Sequence, residues 1–136
     1  MADFKELYRK YDIPAPRYTS YPTVPFWSET PTSDQWIQHL VQTLKESDSS
    51  WSLYVHLPYC ETLCTFCGCN TSITKDHSKE MSYIELVIKE LDLYLAKVPQ
   101  LKTKPLKQIH LGGGSPTFFS SQALAFLIDE IDKRVT

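Results

Sequence analysis

Glycine is scarce in this sequence: there are four in 136 residues, about 3% where roughly 7% is usual. One is Gly68, and the other three are consecutive, Gly112, Gly113 and Gly114. The residue with the freest backbone is therefore confined to two places, which are the first places to look for chemistry. Clusters of lysine or arginine are also missing. Fourteen Lys+Arg against sixteen Asp+Glu leave a net charge of −2, which excludes a basic footprint for nucleic acid or for an anionic membrane surface. No apolar stretch approaches the roughly 18 residues of a membrane span. The opening residues Met1–Lys10 interleave charges and lack the apolar core of a secretory signal, so the expected location is the cytoplasm. The spacing of a disulfide framework is absent as well. All four cysteines, Cys60, Cys64, Cys67 and Cys69, fall on one short stretch, whereas bridges that staple a small domain need cysteines spread along the chain. Clustered thiols in a reducing compartment read instead as metal-binding or redox-active.

What is present has a clear order. Prolines at 14, 16, 22, 25 and 31 break any regular pattern in the first 31 residues, apart from a short helix around Phe4–Tyr11, and predict an extended arm. A helix is predicted over about Asp34–Ser47, with Trp36, Ile37, Leu40, Val41 and Leu44 at helical spacing. Leu53–Leu57 alternates as a strand, ended by Pro58, and the cysteine loop follows at once. A long helix runs from Lys79 to Val98, capped by Ser78, with Ile84, Val87, Ile88, Leu91 and Leu95 as its apolar stripe. A short strand, Gln108–Leu111, runs into the glycines, and a last helix at Ser121–Lys133 buries Leu124, Leu127, Ile128 and Ile131. Strand, long crossover helix and strand imply parallel pairing. Ligands of such sheets bind beyond the carboxyl ends of the strands. The cysteine loop and the glycine run both lie at that edge and are expected to be neighbours.

Cys60-Glu-Thr-Leu-Cys64-Thr-Phe-Cys67 is a C-x₃-C-x₂-C array. Thiolates are the usual ligands of iron–sulfur clusters, and three of them on a four-iron cube leave one iron open for chemistry. The alternative is a structural zinc-binding module completed by Cys69 or His56. Against it, Cys67 and Cys69 are too close to form a second C-x₂-C pair. Gly112-Gly-Gly-Ser-Pro116 exceeds what a turn requires and exposes bare backbone to a ligand. It is not a phosphate loop, because no Gly-Lys-Ser/Thr follows.

The cysteine array and the glycine-rich strand end together resemble the radical S-adenosylmethionine superfamily. Within it, Tyr54-Val-His-Leu-Pro-Tyr-Cys60, Phe66-Cys67-Gly-Cys69-Asn70 and the arm Pro16-Arg-Tyr-Thr-Ser-Tyr-Pro-Thr23 resemble the oxygen-independent coproporphyrinogen III oxidases (dehydrogenases). The resemblance runs from about Tyr11 to the last helix. One departure is Ser115, where the family usually carries threonine; the hydroxyl is kept. The resemblance implies an α/β fold: the first two strand–helix units of a partial (β/α)₆ radical-SAM, TIM-like barrel, preceded by an extended and helical N-terminal region. Residues 1–50 would be the N-terminal arm and helix, and residues 51–136 the incomplete start of the barrel, making the sequence an N-terminal fragment inactive alone.

The implied activity is an oxidoreductase step of porphyrin and haem biosynthesis. One electron from the reduced cluster cleaves S-adenosyl-L-methionine, and the resulting 5′-deoxyadenosyl radical takes hydrogen from a propionate of coproporphyrinogen III. Loss of carbon dioxide and an electron leaves a vinyl group, and two rounds give protoporphyrinogen IX. The resemblance makes Cys60, Cys64 and Cys67 the ligands of a [4Fe–4S] cluster. Tyr54 and Gly113 would contact one S-adenosyl-L-methionine; Phe66, Gly114 and Ser115 would contact a second. It also implies flavodoxin or ferredoxin as electron donor and a monomeric parent. A haem chaperone of similar core, or another radical enzyme, is the alternative, and the arm argues against it. His56 is a candidate catalytic residue, although a strand histidine or tyrosine is more often core packing. Arg17 is a second candidate, as a guanidinium fork for a substrate propionate on an arm stiffened by prolines. Cys69 reads as a non-ligand thiol, His77 and His110 as structural or exposed, and Glu61 has no assigned role.

These assignments separate the four thiols. Alanine at Cys60, Cys64 or Cys67 is expected to abolish stable iron–sulfur assembly, whereas Cys69→Ala keeps at least part of the visible absorption. Iron analysis after anaerobic reconstitution checks this, and equal loss in all four variants contradicts the ligand assignment.

Overall fold

The structure, a computed structural model, describes residues 4–12, 24–29 and 31–135. The chain forms two compact units, Met1–Thr32 and Ser33–Thr136. In the first, helix α1 (Phe4–Tyr11) carries Glu6 in its first turn and Arg9 and Lys10 in its last, a charge order that suits the helix dipole. A 3₁₀ turn follows at Val24–Phe26. Arg17 and the Pro16–Pro22 segment lie outside the described residues.

The second unit opens with α2 (Ser33–Thr43), which ends four residues short of the predicted Ser47. The cause lies in the Ser- and Asp-rich stretch that follows it. The Ser49 hydroxyl donates to the carbonyls of Leu44 and Glu46, so a side chain takes over acceptors that a longer helix would use. Strand β1 (Trp51–Leu57) begins two residues earlier than predicted. Trp51 is anchored there: its indole N–H donates to the Lys104 carbonyl at 3.0 Å, and its backbone N–H to that of Pro105 at 3.1 Å.

Two-residue strands β2 (Tyr59–Cys60) and β3 (Ser72–Ile73) pair in parallel on either side of the cysteine loop. They are too short to leave a period in the sequence. Helix α3 (Lys79–Lys97) buries Ile84, Ile88, Leu91 and Leu95, and Val87 is half-buried. Ser78 does not cap it as expected. It is itself helical in conformation, and the carboxylate of Asp76, two residues upstream, accepts its N–H at 3.1 Å and its hydroxyl at 2.6 Å. Pro99 ends the helix in a 3₁₀ turn.

Strand β4 (Leu106–Gly113) is twice the predicted length and takes in Gly112 and Gly113. Glycine weakens a strand by itself; here β1 supplies the pairing, with Tyr54 opposite His110, His56 opposite Gly112 and Leu57 opposite Gly113. Helix α4 (Ser121–Asp132) is capped by Ser120, whose hydroxyl accepts the Ala123 N–H. It buries Ala123, Leu127 and Ile131, while Leu124 and Ile128 are half-buried.

Leu53, Val55 and Leu57 of β1, with Ile109 and Leu111 of β4, join one apolar core with the stripes of α3 and α4. Because strand side chains alternate, Tyr54, His56 and His110 occupy the opposite face of the sheet. Leu127 has no exposed surface, so Leu127→Ala is expected to destabilise the protein by about 2–5 kcal/mol. Leu93→Ala, on the exposed side of α3 at 64%, should stay within about 0.5 kcal/mol. Denaturant unfolding of the two variants checks this, and equal losses would contradict the core described here.

Candidate functional site

The cysteine loop and the glycine run meet at the carboxyl edge of the sheet. Past the last pair of the ladder, Gly114 N–H donates to the Leu57 carbonyl at 2.7 Å and Ser115 N–H donates to that of Tyr59 at 3.0 Å. On the other side of the same segment, Ser72 N–H donates to Pro58 at 2.8 Å and Thr74 N–H to Cys60 at 2.9 Å. Tyr59–Cys60 is thus held between two backbones. Cys60 is buried, with its sulfur 3.6 Å from the Ser115 hydroxyl. The neighbourhood expected of the two loops is present.

Both glycine and position decide what fits there. A Cβ on Gly114 would stand 2.7 Å from the Tyr59 oxygen, 2.8 Å from the Pro58 oxygen and 2.9 Å from the Cys60 sulfur. Gly113 has φ +109°, a backbone that side chains disfavour, and a Cβ there would meet the His56 ring at 2.9 Å. At Gly112 the Tyr54 ring lies 2.8 Å away. The strand is bare because rings from β1 and the cysteine segment lie against it.

Those rings are themselves ordered. The Asn70 carbonyl can only accept, so His56 Nε2–H donates to it at 2.8 Å. Nδ1 is then left to accept from the Tyr54 hydroxyl at 3.2 Å. Tyr54 also stacks on His110, with ring centroids 5.6 Å apart. The structure therefore gathers Tyr54, His56, Cys60, Gly113, Gly114 and Ser115 at one edge. Cys64, Cys67 and Phe66 lie exposed on the loop, where Cys67 N–H donates to the Cys64 carbonyl at 3.3 Å. Among the described residues, no three of His, Cys, Asp and Glu converge on a point where a metal would sit. The donor chemistry nevertheless fits an iron–sulfur centre: three thiols share a loop, and the first stands beside a glycine that leaves its sulfur room. A cavity of about 430 Å³ runs along the β1 strand, lined by Tyr54 and His56 as well as by Trp36, Leu40, Trp51 and Tyr94, and no cysteine lines it.

No protein-family model matches the chain. Oxygen-independent coproporphyrinogen III oxidase of Mannheimia haemolytica is 35% identical over 122 residues, which cover 90% of this chain and 80% of that sequence. The chain belongs to the oxygen-independent coproporphyrinogen III oxidase family. The oxidase of Pseudomonas aeruginosa is 35% identical over 127 residues, 93% of this chain and 27% of the relative. The solved Escherichia coli coproporphyrinogen III oxidase, described as a radical SAM enzyme, superposes with a TM-score of 0.77 at 29% identity and covers 98% of this chain and 28% of its own. The chain thus has the radical SAM fold of the family and spans about a quarter of the length of these last two relatives. No described helix is long and apolar enough to cross a membrane.

Beside the family's loop lies a polar bridge with no counterpart in the sequence reading. His77 was expected to be structural or exposed, and Glu61 had no assigned role. Instead, His77 Nε2 meets Glu61 Oε1 at 3.1 Å, and His77 Nδ1 meets Glu80 Oε1 at 2.7 Å. Glu80 is buried, and its second oxygen accepts the Ser120 N–H at 2.8 Å. That N–H above all, and then His77, hold the Glu80 carboxyl below its usual range. Glu80 first and Glu61 second raise the His77 pKa above 6.5. The bridge joins residues 16 and 40 positions apart, so periodicity carries no sign of it.

The crowding at Gly114 gives a test. Gly114→Ala is expected to cost about 1–3 kcal/mol, because its nearest neighbours are backbone oxygens that cannot swing aside. Gly68→Ala, with nothing within 4 Å, should change stability by less than about 0.5 kcal/mol. Chemical denaturation of both checks this; an unaffected Gly114→Ala would show that the two loops do not press together.

Proposed function

We propose that this chain carries the cluster-binding and S-adenosyl-L-methionine-binding edge of an oxygen-independent coproporphyrinogen III oxidase, which converts coproporphyrinogen III propionates to vinyl groups and yields protoporphyrinogen IX. The observation that carries the reading is the contact of Gly114 and Ser115 with the Cys60 segment, in a chain of this family. It brings a thiol, bare backbone and a hydroxyl together at the edge where ligands of parallel sheets bind.

In this reading Cys60, Cys64 and Cys67 would hold a [4Fe–4S] cluster. When bound, the cluster and S-adenosyl-L-methionine supply a carbon radical able to remove hydrogen from an unactivated propionate. The protein's own residues do the rest. Tyr54 and Gly113 border the first S-adenosyl-L-methionine; Phe66, Gly114 and Ser115 border a second. The Gly112–Gly114 backbone lets the ligand approach without a side chain between, and the Ser115 hydroxyl sits beside the first thiol. His56, fixed by Asn70 and Tyr54, faces the substrate side of the sheet. Arg17 serves a substrate propionate from the arm. Flavodoxin or ferredoxin, in the cytoplasm, supplies the electrons, and the complete enzyme acts as a monomer.

Anaerobic reconstitution with iron and sulfide tests the reading. The expected product binds about four iron and four sulfide per chain, absorbs in the visible, and changes its reduced electron paramagnetic resonance spectrum when S-adenosyl-L-methionine is added. A colourless protein holding a single zinc would sink the reading in favour of a structural metal module. Haem binding without coproporphyrinogen turnover in the complete protein would move it to a chaperone.

A further inference from the structure

We infer that His77 and Glu80 are positioning residues that latch the start of the cysteine loop, through Glu61, to the N-terminal turns of α3 and α4. This rests on the proposed cluster site, whose loop it would hold in shape. Cys60 is fixed by strand pairing, but the next residue begins a stretch without regular structure that runs as far as Ser72. Glu61 is where that stretch is caught. Its carboxylate meets one nitrogen of His77, and the other nitrogen meets Glu80. Carboxylates only accept, so both ring nitrogens donate and the ring is an imidazolium between two anions.

The far end of the latch is rigid. Glu80 is buried in the first turn of α3, and its second oxygen accepts the N–H of Ser120, the residue that caps α4. The His77 ring is also clamped face to face on Phe118, with centroids 4.3 Å apart and planes 9° apart. Phe118 in turn packs on Tyr59, immediately before Cys60. A loop residue next to a thiol is thus tied through His77, Glu80 and the Ser120 N–H to two helices. At the other end, Asn70 is held by His56. The two histidines pin the cysteine loop near both its ends.

Partners that orient ligand loops typically change metal affinity by about 10–100-fold when removed. The Glu61–His77 contact is half exposed, so it contributes little to global stability. That difference separates a positioning role from a merely structural one. In the reconstituted protein, Glu61→Ala is expected to lose iron to a chelator about tenfold faster than the parent, with an unchanged unfolding midpoint. Glu61→Gln, whose amide oxygen still accepts from His77, should restore retention. His77→Ala should also speed iron loss, and the double variant should be no worse than His77→Ala alone, because the Glu61–His77 contact is already cut in it. Parent-like iron retention in Glu61→Ala, or additive losses in the double variant, would overturn the latch. Should the parent take up no cluster, the proposed function fails, and amide hydrogen exchange in the cluster-free protein decides the latch separately. Faster exchange at residues 61–64 in Glu61→Ala supports it, and unchanged exchange overturns it.

Discussion

The parallel ladder between β1 and β4 is the constraint on which everything else depends. Its register sets His56 opposite Gly112 and Leu57 opposite Gly113, and the Gly114 N–H continues it by bonding to Leu57. A slip of one residue would turn every side chain to the other face. Val55 and Leu57 would then leave the helices, and Tyr54 and His56 would enter the core. Burial of the odd-numbered residues against α3 and α4 therefore fixes the register, and the register brings the cysteine segment against the glycines. The site geometry is a by-product of core packing on the far side of the sheet.

Each polar contact at the edge then ties a loop to that frame. Tyr83 of α3 donates its hydroxyl to the His56 carbonyl at 2.7 Å, and desolvation pushes its pKa up. His56 in turn holds Asn70, and Glu80 holds both His77 and the cap of α4. Apolar stripes place the helices, and a few buried or half-buried polar groups carry their rigidity out to loops that have no core of their own.

Much of this was legible in the sequence because it is periodic. The stripes of α3 and α4 and the alternation of β1 predict the strand–helix order, and that order predicts that the two unusual loops meet. What periodicity could not carry fell into three kinds. Pairing supplied by a partner strand extended β4 through Gly112 and Gly113, which by composition read as a loop. Side-chain competition ended α2 early, and the Asp76 carboxylate engages the Ser78 hydroxyl that would have capped α3. The contacts among Glu61, His77, Glu80 and Ser120 join distant positions, and no local pattern encodes them. The roles of the individual site residues came from resemblance, and Arg17 lies outside the described residues.

The unequal burial of the thiols has a consequence for handling in air. Cys60 is shielded by Ser115 and β3, whereas Cys64, Cys67 and Cys69 face solvent. Oxidation of a thiol follows its access to the oxidant. Before any metal arrives, damage would therefore begin on the outer three, which are near enough in sequence to cross-link with one another. A protein spoiled this way would keep its core, its ladder and the innermost sulfur, and so would look properly folded while having lost the means to be loaded.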